Sequence, residues 1–451
     1  MNISEGQKLV KNKEYGKALI FFLNLEKKNC KSSNIFFYLG LIYFELNKFS
    51  KSILYYSKFL KDEPLSESGL LNLAIVKQSI GELASAKEIY MKIININEFN
   101  IRAYYGLYLL DTNFLKDDLF KNLYKIEKNK KINLYQRGII NFLFSKKAKL
   151  DNESKKEIKY LQNFHKNIFN SNKSYNLTAQ FYYNNVISKF FDKLKTIKMI
   201  ENNYEKACPI FIVGLPRSGS TLIESILTSS EENLYSFGEC HVFNMSILEQ
   251  IGPKIYSEKF DNKKFEFTIN KEALNTSIKE KYSQYSENKL EKFVDKSLEN
   301  FFNIQLIRNI YPKAKFIHTY RNSIDSVISI YQSMLPDLSW THTIEDILIY
   351  IDNYCKVLRY FKSKYSDTII DINLEEFTQK SEDLSKKIFN FCELTWSENI
   401  LNFYMRKDLY SKTLSFNQIR SKVLKYNTKK YEPYFSLLNN YKNKYDWLNL
   451  N

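Results

Sequence analysis

Residues Gly214-Leu-Pro-Arg-Ser-Gly-Ser-Thr221 concentrate the groups most able to do chemistry. They follow Pro209-Ile-Phe-Ile-Val213, a short apolar, β-branched run of the kind that forms a buried parallel strand. They precede an apolar segment, Leu222 to Leu227, that reads as a helix. A strand, a loop and a helix N-terminus in series bring backbone N–H groups and the positive end of a helix dipole to one place, which suits a bound phosphate or similar oxyanion. The spacing nearly reproduces G-x-x-x-x-G-K-[ST], but Ser220 stands where the lysine belongs. The cation comes earlier, at Arg217, whose planar fork can reach an oxyanion held by the loop amides. The missing lysine argues against a P-loop nucleotide kinase, the nearest competing reading.

The string Pro216-Arg-Ser-Gly-Ser-Thr-Leu222 resembles the 5′-phosphosulfate loop of sulfotransferases, which bind 3′-phosphoadenosine 5′-phosphosulfate. The resemblance implies a second motif, an Arg just after a strand and a Ser eight positions later on the next helix, together holding the 3′-phosphate of the donor. Here Arg321 follows Phe316-Ile-His-Thr-Tyr320, and Ser329 stands eight positions on. A guanidinium fork and a hydroxyl on the first turns of a helix are suitable partners for a phosphate. Two further pieces narrow the resemblance to the protein-tyrosine sulfotransferases and the repeat-bearing bacterial sulfotransferases similar to them. Asp295-Lys296 lies 25 residues before Arg321, where that family has a catalytic lysine. Ser415-Phe-Asn-Gln418 is followed by Lys430, matching the family's Ser-x-x-Gln and late Lys. Tyr431 stands where the family often has Trp, and Ser333 replaces a basic residue. The similarity spans about residues 206 to 447.

The resemblance implies roles. Glu239, in the context Gly238-Glu-Cys-His241, is the base that takes the proton of the acceptor hydroxyl, with His241 as the alternative. Lys296 and Ser415 stabilise charge on the transferring sulfuryl group. Arg217 and the backbone of Ser218, Gly219, Ser220, Thr221 and Leu222 hold the 5′-phosphosulfate, and Arg321, Ser329 and Lys430 hold the rest of the nucleotide. Sulfuryl transfer resembles phosphoryl transfer in relying on positioning and charge stabilisation. No metal is expected, because Arg and Lys supply the compensating charge. Protein tyrosine is one of several acceptor classes that offer a hydroxyl.

These groups need elements to position them. Ala314–Tyr320 leading into 323–333, and Thr368–Ile372 leading into 382–393, repeat the strand-then-helix form begun at 209, so an α/β domain with a parallel sheet flanked by helices is expected over 206–451. In front lies a repeat. At a period of 34, Gly6, Gly40 and Ala74 align, as do Tyr15, Phe49 and Leu83, then Ala18, Ser52 and Ala86, then Phe22, Tyr56 and Tyr90. Small residues fall on small and aromatics on aromatics, a pattern similar to the tetratricopeptide repeat. An all-α repeat solenoid is therefore expected over 1–115, with a helical connecting layer or degenerate repeats over 116–205. Such an array suits a peptide or protein partner on its concave face, the acceptor included. A non-catalytic repeat scaffold is the other competing reading; intact Arg217, Lys296, Arg321 and Ser415 argue against it.

The composition bounds the rest. With 44% hydrophobic residues among 451, the chain can bury full cores. The balance of 67 Lys+Arg against 50 Asp+Glu leaves +17, which favours an anionic ligand, yet no nucleic-acid-binding motif accompanies it. Cysteines 30, 208, 240, 355 and 392 form no CxxC pair, as in a reducing compartment, and no signal-like or membrane-spanning apolar run occurs. A cytoplasmic protein is the expectation.

Overall fold

The computed structural model describes residues 3–28, 32–187, 191, 207–230, 232, 234–255, 269–286, 291–406 and 408–449. Cys30 and the expected boundary at 205/206 lie outside them. The chain forms two compact units. One comprises Met1–Lys147 with Lys281–Asn288 and Arg406–Gln418; the other comprises Ala148–Glu280, Lys289–Met405 and Ile419–Asn451. The division therefore falls near 147, and two short stretches from the second half of the sequence join the first unit.

The first unit is helical. It begins with α1 (Ile3–Lys11), α2 (Tyr15–Lys27), α3 (Asn34–Glu45), α4 (Phe49–Asp62), α5 (Glu67–Ser79), α6 (Leu83–Ile96) and α7 (Ile101–Leu110). Consecutive helices pack on one another, so the 34-residue alignment becomes a repeated contact. A Cβ added at Gly40 would sit 2.9 Å from the Tyr56 ring, which explains a small residue on α3 opposite an aromatic on α4. Ser52 Oγ on α4 donates to the Gly40 carbonyl at 2.7 Å, closing the same approach. Phe22, Leu39, Tyr56, Tyr90 and Tyr104 are all buried in this unit. Ser66 caps α5, accepting from the Gly69 amide.

The second unit holds a five-stranded sheet in the order β2-β3-β1-β4-β5. The strands are β1 (Ile210–Gly214), β2 (Tyr235–Ser236), β3 (Phe293–Asp295), β4 (Lys315–Tyr320) and β5 (Ile369–Asn373), and every pairing is parallel. Helices Ser220–Leu227, Ser323–Tyr331 and Ser381–Phe391 follow β1, β4 and β5. β1 is buried along its whole length, as its unbroken apolar run requires at the centre of a parallel sheet. β2 and β3 span two and three residues. Neither is long enough to carry a periodic signal, so both escape sequence reading. The chain passes from β1 to one side of the sheet for β2 and β3, then crosses β1 to place β4 and β5 on the other. Crevices beyond the carboxyl ends of strands at such a switch point are where open α/β sheets bind ligands. Among the described residues, no helix is long and apolar enough to cross a membrane.

Candidate active site

The three segments leaving the carboxyl ends of β1, β3 and β4 carry most of the expected site. After β1 the backbone turns through left-handed conformations: Gly214 has φ 147°, Arg217 φ 68° and Gly219 φ 89°. A side chain at Gly214 would lie 2.3 Å from the Thr319 carbonyl of β4, so only glycine fits. Arg217 adopts the left-handed region without being glycine, a strain typical of functional loops. Ser218 is buried with its hydroxyl committed inside the loop, donating to the Leu215 carbonyl at 2.7 Å and lying 2.8 Å from Thr319 Oγ1. The expected contribution of Ser218 to an oxyanion is through its backbone, and the hydroxyl is engaged inside the loop. The Leu222 amide is likewise committed, donating to the Gly219 carbonyl at 3.0 Å. Ser220 and Thr221 open the helix, and leading helix amides have no intrahelical acceptor.

Lys296 follows β3 directly. A lysine in so Lys-rich a sequence is ordinarily solvated, but this one is 1% exposed. Its Nζ lies 3.0 Å from Glu239 Oε1, 3.3 Å from Glu224 Oε2 and 3.5 Å from Thr221 Oγ1. Burial pushes Lys296 toward its neutral form, but the Glu224 and Glu239 carboxylates outweigh it and hold the pKa above the usual lysine value. The two carboxylates thus favour the charged form of the side chain, which also reaches Thr221 at the start of the helix after β1.

Glu239 sits at the rim, with 42% of its side chain exposed. Its turn is pinned to β3: the Lys296 amide donates to the Gly238 carbonyl at 2.9 Å, Cys240 Sγ donates to Asp295 Oδ2 at 3.2 Å, and the His241 amide donates to Ser297 Oγ at 2.7 Å. The Gly238 amide donates to Ser236 Oγ at 3.0 Å. His241 turns its Nδ1 to Glu299 Oε1 at 2.5 Å, so that nitrogen is already engaged.

Glu224 is the residue that sequence reading missed. It lies three positions after Thr221 on the same helix face, accepts from Ser236 Oγ at 2.6 Å and pairs with Lys296. The available signal was a lone carboxylate in the otherwise apolar run Leu222–Leu227.

A second cluster forms beyond β4. Arg321 is buried, with Nη1 donating to Tyr426 Oη at 3.3 Å and Nη2 to the Asp325 carbonyl at 3.0 Å. Its Nε is buried with no hydrogen-bond partner, which leaves capacity for an anionic acceptor. Its guanidinium lies 5.3 Å from the Tyr431 ring centre, and the Lys430 ammonium 5.2 Å from the same ring. Burial pushes the Tyr431 phenol up, but the charges of Arg321 and Lys430, with hydrogen bonds to Ser329 and Arg321, bring it down to about 8. Tyr431 thus gathers Arg321, Ser329 and Lys430 around one hydroxyl. Asp325 accepts from Tyr426 Oη at 2.7 Å, bracing the other face of Arg321.

Ser415 belongs to the first of the two units. Its segment, Arg406–Gln418, belongs to the helical unit, where the Ser415 amide donates to Thr413 Oγ1 at 3.2 Å. His318 is a sheet residue, buried in β4 with Nδ1 2.6 Å from Asp371 Oδ1 and Nε2 on Tyr354 Oη. Among the described residues, no cluster of three His, Cys, Asp or Glu side chains is arranged to hold a metal ion.

The sheet thus carries, at its switch point, a left-handed loop leading into a helix N-terminus, with a buried lysine beside it. Residues 209–398 match the model of the sulfotransferase family. An Aquifex aeolicus (strain VF5) protein named "Uncharacterized protein" is 28% identical over 245 residues, half of this chain, and the match spans 30% of that relative. A Caenorhabditis briggsae protein named "Putative protein-tyrosine sulfotransferase" is 22% identical over 239 residues, covering 52% of this chain and 82% of the relative. Among solved structures, the sulfotransferase domain of the Synechococcus PCC 7002 olefin synthase aligns with 98% of its own length and 54% of this chain, at 16% identity and a TM-score of 0.30.

Proposed function

We propose that the protein is a sulfotransferase that moves a sulfuryl group from 3′-phosphoadenosine 5′-phosphosulfate to an acceptor hydroxyl, with protein tyrosine as the acceptor class. The observation that carries the reading is Lys296, buried between Glu224 and Glu239 and within reach of the anion loop. The loop after β1 and Arg217 take the 5′-phosphosulfate. Arg321, Ser329 and Lys430 take the 3′-phosphate, which satisfies the buried Arg321 Nε. Glu239, at the exposed end of the ion pair, accepts the acceptor proton as the acceptor oxygen attacks sulfur. The S–O bond to the 5′-phosphate breaks, a new S–O bond forms, and adenosine 3′,5′-bisphosphate leaves. Lys296 stabilises charge on the bridging oxygen; Ser415 is assigned to the sulfuryl group by resemblance. The acceptor class rests on the four-motif similarity, with the Caenorhabditis relative in support.

Calorimetry with adenosine 3′,5′-bisphosphate tests the donor site. Binding is expected without magnesium and in preference to ATP. Arg321→Ala removes a charge-assisted contact of about 1.5–3 kcal/mol, so affinity should fall about 10- to 150-fold. Equal affinity for nucleotides lacking the 3′-phosphate, or a strict magnesium requirement, overturns the reading in favour of a nucleotide kinase.

A further inference from the structure

A buried carboxylate needs partners, and Glu157 on helix Ser154–Ser171 is fully buried. It accepts from Gln332 Nε2 at 3.2 Å and from Tyr434 Oη, and Lys149 Nζ stands 4.0 Å from it. Lys149, near the end of helix Leu134–Leu150, donates to Gln332 Oε1 at 2.9 Å, and its ammonium lies 5.1 Å from the centre of the Tyr434 ring. All four residues belong to the sheet-bearing unit. Lys149 and Glu157 fall within 116–205, a stretch in which the sequence shows no ligand motif.

This group adjoins the cluster around Tyr431 on two sides. Gln332 caps helix Ser323–Tyr331 three positions after Ser329, so the two share one side of it. The Tyr434 amide donates to the Tyr431 carbonyl at 3.0 Å, which puts Tyr434 in the turn that follows Lys430. Lys149 therefore touches both the turn after Ser329 and the turn after Lys430. Burial pushes Lys149 toward its neutral form, Glu157 opposes this, and Lys430 adds its own repulsion. Two ammonium groups that repel each other beside a buried guanidinium are relieved by an anion. Among the described residues, Gln332 is the one hydrogen-bond acceptor of the Lys149 ammonium; its other donors remain for solvent or a ligand, and the side chain is 33% exposed. Ser333, beside Gln332, commits its hydroxyl to the Ser329 carbonyl at 2.7 Å and brings no charge to this side of the helix.

We infer that Lys149 is a donor-binding residue, which joins Arg321, Ser329 and Lys430 as a further cation for the 3′-phosphate and is held in place by Glu157, Gln332 and Tyr434. The inference rests on the donor proposed above. Glu157 supplies the countercharge that keeps a part-buried lysine charged before the donor arrives. At 4.0 Å it is set back too far to occupy the ammonium with a direct hydrogen bond.

The test is calorimetry on the full chain with adenosine 3′,5′-bisphosphate and with adenosine 5′-phosphate, which lacks the 3′ group. Lys149→Met keeps the aliphatic stem and removes the charge. Affinity for the bisphosphate should fall about 10- to 100-fold, the range for a lost charge-assisted contact, while affinity for the monophosphate stays within about twofold of the parent. Lys149→Arg, which keeps the cation, should retain most of the preference for the bisphosphate. A second measurement needs no variant: acetylation of Lys149 by acetic anhydride, read by mass spectrometry, should slow under saturating bisphosphate and not under saturating monophosphate. Equal losses for the two nucleotides mark a merely structural role. That result, parental affinity in Lys149→Met, or labelling that the bisphosphate leaves unchanged each overturns the inference and leaves the donor reading standing. A parent that binds both nucleotides equally overturns the donor reading itself, and the role of Lys149 with it.

Discussion

Tyr431 lets the charge at the expected 3′-phosphate position be measured. Its phenol is buried, pushed up by that burial and brought down to about 8 by Arg321, Lys430 and hydrogen bonds to Ser329 and Arg321. An unfolded tyrosine loses its proton near 10. Between those values the unfolded chain binds the extra proton, so stability rises with pH. The contribution is complete above pH 10, declines as pH falls toward 8, and is absent below it. At roughly 1.36 kcal/mol per pH unit, the full effect is about 2.7 kcal/mol. Tyr431→Phe should remove it. Urea unfolding from pH 7 to pH 10.5 should show parent and variant diverging by about 2–3 kcal/mol at the alkaline end.

The chain has 34 tyrosines, so the ultraviolet titration of parent minus Tyr431→Phe isolates this one. Its midpoint should lie near 8, and saturating adenosine 3′,5′-bisphosphate should move it upward as the phosphate takes the Arg321 fork. Nucleotide affinity should accordingly fall as pH rises through about 8, where the phenolate begins to repel the phosphate. A midpoint near 10, or one indifferent to the nucleotide, refutes the argument that Arg321, Ser329 and Lys430 converge on one anion site.

Two further outcomes are expected. Glu239→Gln should lower turnover by about 10²–10⁴ and leave bisphosphate affinity within about threefold; near-parental turnover in Glu239→Gln with a dead His241→Ala would make His241 the base. Gly214→Ala, which places a Cβ 2.3 Å from the Thr319 carbonyl at φ 147°, should destabilise the protein by roughly 3–4 kcal/mol in chemical denaturation, and a shift below about 1 kcal/mol would show that the β1–β4 contact relaxes readily.

Local order in the chain was enough to read the loop after β1, because a strand, a left-handed turn with glycines at 214 and 219, and a helix N-terminus depend on neighbours in sequence. The same holds for Arg321 and Ser329, joined by one helix, and for the small-to-aromatic contact of Gly40 with Tyr56, which a repeat prints at fixed spacing. Glu224 was not legible as a partner of Lys296, since the two are brought together by the parallel pairing of β1 and β3 across 72 residues of sequence. Nor could spacing show that Lys296 is buried, because composition makes any lysine look solvated until the sheet closes around it. β2 and β3 owe their existence to their neighbours, being too short to hold together alone. The seating of Ser415 on the helical unit is the most distant case: the Ser411 amide and the side chains of Lys412 and Asn417 meet the ends of helices more than 300 residues away, and only tertiary structure can bring a donor to a carbonyl across that distance.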